Sequence, residues 1–433
     1  MDEYLISSSA CINVNKSNIC LNATFISENS VTLVNASLIF PCLTLQSSSL
    51  SLCTDQGSSF QVQNLLVSGN NSISELSARG SPILLQGQLG NIHDLYFFAD
   101  VIFCGAFITN TASIHLSRNV QLSGNFQNDG QLTFINDPFT CQFACLTIAN
   151  GTNVNGRGNL TFYCSSAYIY VCSNSTTIQN QFFCEASCVN IYSSIQDTLQ
   201  FKKRGENGGR GIRGEKKGEW KRVPSHARTT PSLLSNNPSL TFSSNVTVNG
   251  CSSLSFLFTN TLFKSSLWVD DSYLSVLGAN IDFSLSPSVK FTSCSQLNFF
   301  LSIDTTNNNN APVGPLAKVD RVSFQGSSFI SLSNDYQFGC LLSQAATNSS
   351  FFFNASFPLL VVSNNTPNLS PLVETAGVSG ASASLFLLNN CYFVSVETCP
   401  LNLVGNGSCS CSGAAAPFGV SKCVNGMWVS VHY

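Results

Sequence analysis

Charge is what this sequence has least of. Only 9% of its 433 residues are Asp, Glu, Lys or Arg, against roughly a quarter in an average soluble protein, so solubility must come from uncharged polar groups. Strong helix formers are also scarce: there are two methionines and few Glu and Lys, while β-branched and aromatic residues abound. That excludes a helical bundle. No apolar run reaches the roughly eighteen residues that a membrane-spanning helix needs. The start, MDEYLISSSACINV, is acidic and lacks the apolar core of a secretory signal. Walker and dinucleotide loops are missing, and a strand followed by a true helix is hard to find, which sets nucleotide enzymes aside. There is no G-x-S-x-G elbow and no C-x-x-C pair. The spacings at Cys141/Cys145, Cys184/Cys188 and Cys409/Cys411 do not suit zinc, and none of His93, His115, His226 and His432 lies near them in sequence. No metal and no other cofactor is expected.

What is present is cysteine, asparagine, serine and phenylalanine. Nineteen cysteines spread over the whole length suit an oxidising compartment. Cys141, Cys145, Cys164, Cys172, Cys184, Cys188, Cys399, Cys409, Cys411 and Cys423 are the disulfide candidates, and the odd total leaves a thiol free or paired to another chain. Asparagine sequons occur at Asn15, Asn22, Asn35, Asn70, Asn150, Asn159, Asn174, Asn245, Asn348, Asn354, Asn364, Asn368 and Asn406. Glycans there would hydrate a surface short of charge, although a chain rich in Asn and Ser also produces sequons by composition alone. Cysteines and sequons together predict an extracellular or cell-surface protein whose leader lies upstream of this N-terminus.

Apolar residues alternate in short runs that end in Gly, Asn or Asp, as in SIHLSRNVQLSGNFQNDGQLTFIND from Ser113. The strands resemble one another: QLTF at Gln131, NLTF at Asn159, SLTF at Ser239, SLSF at Ser253 and QLNF at Gln296. A V/L-x-G turn recurs at Val67, Leu122, Val154, Val248 and Val424. Their intervals are irregular, as in a stacked-coil solenoid whose inward Leu, Val and Phe form columns while insertions leave at the corners. On these runs, and on the Asn and Ser at their ends that can stack as ladders, the chain resembles right-handed parallel β-helix proteins of the pectin-lyase-like type. The cysteine-rich, sequon-rich surface proteins of protists are the nearest in character. The resemblance implies an all-β parallel β-helix; tandem β-sandwiches are the alternative, though no Cys, Trp, Cys spacing of the immunoglobulin kind occurs.

The expected organisation is N-terminal strands or a cap over 1–41, solenoid over 42–200 and 239–396, and a cysteine-rich C-terminal module over 397–433. Between the solenoid parts, 201–238 departs in composition. It carries Lys202, Lys203, Arg204, Arg210, Arg213, Lys216, Lys217, Lys221 and Arg222 with abundant Gly. This reads either as a loop that binds polyanions or as an insertion foreign to the fold. Without residues 202–228 the chain holds nineteen acidic and nine basic residues. No specific nucleic-acid partner follows from one such loop. Candidate chemistry is sparse: Asp270 and Asp271 form the only adjacent Asp pair, and His93 with Asp94 make half of a catalytic pair; solvated turns are the simpler reading of both. Catalytic and metal residues are therefore assigned to none. The expected role is a non-catalytic structural or adhesion protein with glycans or other surface proteins as partners. A carbohydrate-active β-helix enzyme, its inactive glycan-binding relative and a truncated receptor ectodomain are the alternatives.

Overall fold

In the computed structural model the alternating runs become short parallel strands, each placing every second side chain inward. The structure describes residues 3–6, 10–69, 71–75, 82–90, 94–109, 113–136, 144–173, 175–193, 239–304, 311–314, 316–347, 354–364, 366–374, 381–397, 421–424 and 427–430. The chain winds through three faces per turn. The first face holds Asp94–Phe98, Ser113–Leu116, Gln131–Phe134, Asn159–Tyr163, Gln181–Glu185, Val246–Asn249, Leu267–Asp270 and Val289–Thr292, paired in parallel in that order. The second runs from Asn119–Leu122 through Ala144–Ile148, Ser166–Val171 and Cys188–Ser193 to Ser253–Leu257 and onward. The third stacks Asn125–Gln127, Asn153–Asn155, Thr176–Ile178, Leu240–Phe242 and Asn260–Phe263. The result is an all-β parallel solenoid, consistent with a right-handed parallel β-helix. Residues 10–41 already pair within the same three faces.

Register places like on like. Leu132 lies against Leu160 and Phe134 against Phe162, and the two Phe rings stack at 4.6 Å and 11°. Phe162 then meets Phe182 at 5.3 Å. All three rings are fully buried, and each such side chain contributes roughly 1.5–3 kcal/mol by burial. Of the similar strand motifs, QLTF and NLTF share the first face, SLTF at Ser239 belongs to the third, and SLSF and QLNF belong to the second. Every face needs the same alternation, so a common motif does not mark a common position in the turn.

A second stack runs along the corner between the first and second faces. Ser165, Ser187, Ser252, Ser272 and Ser295 are all buried. Each backbone N–H donates to the next hydroxyl along: Ser165 to Ser187 at 3.3 Å, Ser187 to Ser252 at 3.1 Å, Ser252 to Ser272 at 3.1 Å and Ser272 to Ser295 at 3.4 Å. Just before these serines the chain turns through left-handed residues, Cys164, Ala186, Cys251, Asp271 and Ser293. Such conformations cost an L-residue about 1–2 kcal/mol. The serine ladder fixes the corner by satisfying backbone donors that would otherwise be buried unpaired.

The longest insertions leave at one corner, between the second and third faces. Two residues suffice there at 258–259 and at 278–279, whereas 194–238 enters at the same corner between Ser193 and Ser239. The antiparallel pair Ile303–Asp304 and Ala311–Pro312 and the helix Tyr336–Thr347 occupy it on later turns. The helix begins where the Asp335 carboxylate accepts the Phe338 N–H at 2.6 Å, an N-cap. Its buried Phe338 and Leu342 face the core, with Phe338 4.8 Å from Phe357. At the C-terminal end the ladder changes sense: Cys391–Glu397 pairs antiparallel with Asn354–Val362 and with Ser382–Leu388. That hairpin covers a strand edge that would otherwise recruit another chain. Of the C-terminal module, Ser421–Val424 and Met427–Ser430 form a separate hairpin.

Two outcomes follow for folding. Ser187→Ala removes a ladder acceptor and is expected to cost about 1–3 kcal/mol, and Phe162→Ala about 3–5 kcal/mol, in urea unfolding; changes below about 0.5 kcal/mol in both would contradict this packing. Deleting residues 202–228 is expected to leave the circular dichroism spectrum and Tm unchanged, because Leu240–Phe242 resumes the register against Thr176–Ile178.

Candidate functional site

One outward column of the first face can be followed by register from turn to turn. Glu28 lies against Ser49, Ser49 against Ser72, Ser72 against Tyr96, Tyr96 against His115 and His115 against Thr133. Two serines therefore separate Glu28 from Tyr96, a gap of three strand spacings, or about 14 Å. The neighbouring outward positions repeat the step, since Ser51 pairs with Ser74 and Ser74 lies against Phe98. Small side chains between large ones make a notch of about 550 Å³, lined by Ser27, Glu28, Ser47, Ser48, Ser49, Asn71, Ser72 and Tyr96.

The floor is held by its own hydrogen bonds. Ser49 and Ser72 share one at 3.0 Å. Buried Asn71 accepts the Ser48 N–H at 2.8 Å and donates to the carbonyls of Ser68 and Gly69 at 3.1 and 2.6 Å. Gly69 is required here: its φ is +73°, and a Cβ would lie 2.1 Å from the Ser47 hydroxyl. The wall is aromatic. Tyr96 and Phe98, on one strand, present rings 12° from parallel and 6.2 Å apart. On the side away from the notch His115 stacks on Tyr96 at 4.2 Å and 9°. His115 Nε2 is 3.5 Å from the Asp94 carboxylate and 3.4 Å from the Ser113 hydroxyl. Asp94 thus reaches His115 two strands of chain later, while His93 lies outside the described residues.

Asp270 and Asp271 diverge. The Asp270 carboxylate accepts the hydroxyls of Thr292 and Ser293 at 2.6 and 2.7 Å, and these bonds hold its carboxyl below the ordinary value. Asp271 sits in the left-handed corner, 3.5 Å from the Cys251 thiol. Each completes a turn. Asp55 does likewise for Ser58, Asn35 and Gly57, and those bonds, Ser58 foremost, lower its pKa. A second aromatic group lies on the second face: Tyr170 and Tyr192 stack at 5.4 Å, with Tyr168 6.1 Å from Tyr192. Burial, then the neighbouring phenols and Cys188, push Tyr192 up to about 12.

Among the described residues no two cysteines are joined in a disulfide. Register explains why: Cys145 opposes Asn119 and Tyr168, and Cys188 opposes Ser166 and Ser253. Cys184 points inward between Phe162 and Val248 and serves as a core side chain; burial raises its thiol pKa far above normal. Cys164 is exposed and Cys172 half-buried. Cys141, Cys399, Cys409 and Cys411 lie outside the described residues, as do all the basic residues of 201–238; the backbone of Cys423 opposes Trp428. Among the sequons, Asn15, Asn35, Asn150, Asn245, Asn364 and Asn368 are exposed, and Asn22 and Asn159 half-buried. Asn70, Asn174, Asn348 and Asn406 lie outside the described residues, as does the Asn354 side chain.

No protein-family model, curated protein or solved structure matches the chain, so the resemblance to pectin-lyase-like proteins extends to the parallel β-solenoid alone. No helix among the described residues is long and apolar enough to cross a membrane. The notch escaped sequence reading because Glu28, Ser49, Ser72 and Tyr96 are unequally spaced along the chain and meet only through register.

The carboxylate turns carry a pH dependence. Asp55 and Asp270 have folded-state pKa values below their reference of 3.8, so their stabilisation is complete above that value and is lost as pH falls through the folded pKa. Melting temperature is expected to vary little between about pH 7 and about pH 5 and to drop below about pH 4. The double variant Asp55→Asn, Asp270→Asn should flatten that acid drop; an unchanged acid limb would contradict the assignment.

Proposed function

We propose that the chain is a secreted or cell-surface structural protein that adheres through its polar flanks rather than turning over a substrate. The observation that carries this reading is where the exposed sequon asparagines fall. Asn15 ends a strand, and Asn35, Asn150, Asn245, Asn364 and Asn368 lie in turns or between strands. A glycan on such a side-chain nitrogen leaves the ladder hydrogen bonds intact and hydrates a surface that has few charges. The continuous stack of turns adds a stiff support on which such groups can be displayed at fixed spacing. Glycans or other surface proteins are the partners that fit this role.

A second reading, a glycan-binding relative of β-helix enzymes, is favoured by the notch on the first face. Hydrolysis of a glycosidic bond ordinarily takes two carboxyl groups flanking it, and Glu28 is the one carboxylate among the residues lining the notch. Binding without turnover fits that lining better than catalysis.

Surface biotinylation of intact cells that make the protein, followed by peptide N-glycosidase treatment, tests the proposal. A labelled chain whose mobility rises on deglycosylation is expected. An unlabelled chain with unaltered mobility would overturn it.

A further inference from the structure

The notch has the chemistry of a sugar site, and its charge selects among sugars. Its wall is the ring of Tyr96, flanked on the same strand by the near-parallel ring of Phe98, and a flat apolar ring face is what the C–H face of a pyranose packs against. The floor is built from the hydroxyls of Ser49 and Ser72, which can donate to or accept from sugar hydroxyls. At the far end Glu28 is exposed and offers an acceptor-only carboxylate, the group that makes strong hydrogen bonds to hydroxyl donors. No Lys or Arg lines the notch. An anionic sugar would therefore meet Glu28 with no cation to offset the repulsion. Rigidity favours binding as well: His115, held by Asp94 and Ser113, stacks behind Tyr96 and fixes the wall before a ligand arrives.

From this we infer that the notch between Glu28 and Tyr96 binds an uncharged oligosaccharide, one pyranose stacked on Tyr96 over the hydroxyls of Ser72 and Ser49 and a further sugar unit hydrogen-bonded to Glu28. The inference names the ligand class for the adhesive reading above and rests on that reading for its biological setting, though not for its chemistry. No bond is made or broken. Uronic-acid and sulfated glycans are disfavoured in the same notch by repulsion from Glu28.

The test uses the full chain with mannohexaose, cellohexaose and chitohexaose as neutral probes, and oligogalacturonate and heparin hexasaccharide as anionic ones, by calorimetry and saturation-transfer NMR. At least one neutral probe is expected to bind, with saturation transfer from aromatic protons, and both anionic probes to bind more weakly. Tyr96→Ala should weaken the neutral probe about tenfold or more, which corresponds to about 1.4 kcal/mol. Ser72→Tyr, an outward strand position that accepts an aromatic residue readily, should fill the notch and abolish binding. Glu28→Gln should weaken the neutral probe and narrow the gap to the anionic ones. Circular dichroism and Tm matching the parent show that the variants fold.

Binding of the anionic probes in preference, neutral binding unaffected by Ser72→Tyr, or no neutral binding at millimolar concentration would each overturn the inference. A chain missing from the cell surface that still binds neutral probes with this variant pattern sinks the adhesive reading and keeps the site. A surface chain that binds none of them sinks the site alone.

Discussion

Parallel pairing in register is the constraint on which everything else in this molecule depends. Each side chain sits directly over its counterpart one turn away, about 4.8 Å distant, and so must be compatible with a near copy of itself. Apolar residues meet the condition by stacking, as Phe134 and Phe162 do. Hydroxyls meet it by chaining hydrogen bonds, as in the ladder from Ser165 to Ser295. Charges meet it badly: two like charges about 4 Å apart repel by about 1 kcal/mol even in water. A surface of Ser, Thr and Asn with 9% charged residues is what such a constraint selects, so the scarcity of charge follows from the architecture.

The same constraint separates what could be read in the sequence from what could not. Alternation is local, so the strand content and inward Leu and Phe of QLTF and NLTF were legible, and so was the tendency of insertions to leave at corners. Which strand stacks on which was not, because 194–238, the Ile303–Asp304 arm and the helix Tyr336–Thr347 enlarge one corner by different amounts and destroy any fixed period. Cysteine density suggested staples, yet the parity of a residue along its strand decides its fate. Cys184 falls on an inward position and packs against the core, while Cys188 falls on the exposed side with serines above and below. Parallel backbone hydrogen bonds tie each turn to the next along all three faces.

Function enters where the repetition is broken. A column of equal side chains offers a flat flank, and a flat flank offers a ligand little purchase. The change from serine at 49 and 72 to tyrosine at 96 raises a ledge one turn high, and the carboxylate at 28 closes the other end. Asp94, which the sequence set beside His93 as half of a catalytic pair, instead meets His115, and the two brace the ledge from behind. On the proposed reading the scaffold supplies stiffness, the sequon-bearing turns hydration, and the break in one column selectivity.

The register itself is open to direct measurement by methyl-labelled NMR. Leucine and isoleucine methyl labelling with nuclear Overhauser spectroscopy should give cross-peaks between Leu132 and Leu160 and between Ile169 and Ile191, pairs that face each other on successive turns. Missing cross-peaks at those pairs, with antiparallel contacts between sequence-adjacent strands such as Ser113–Leu116 and Asn119–Leu122 in their place, would contradict the solenoid and the notch that depends on it.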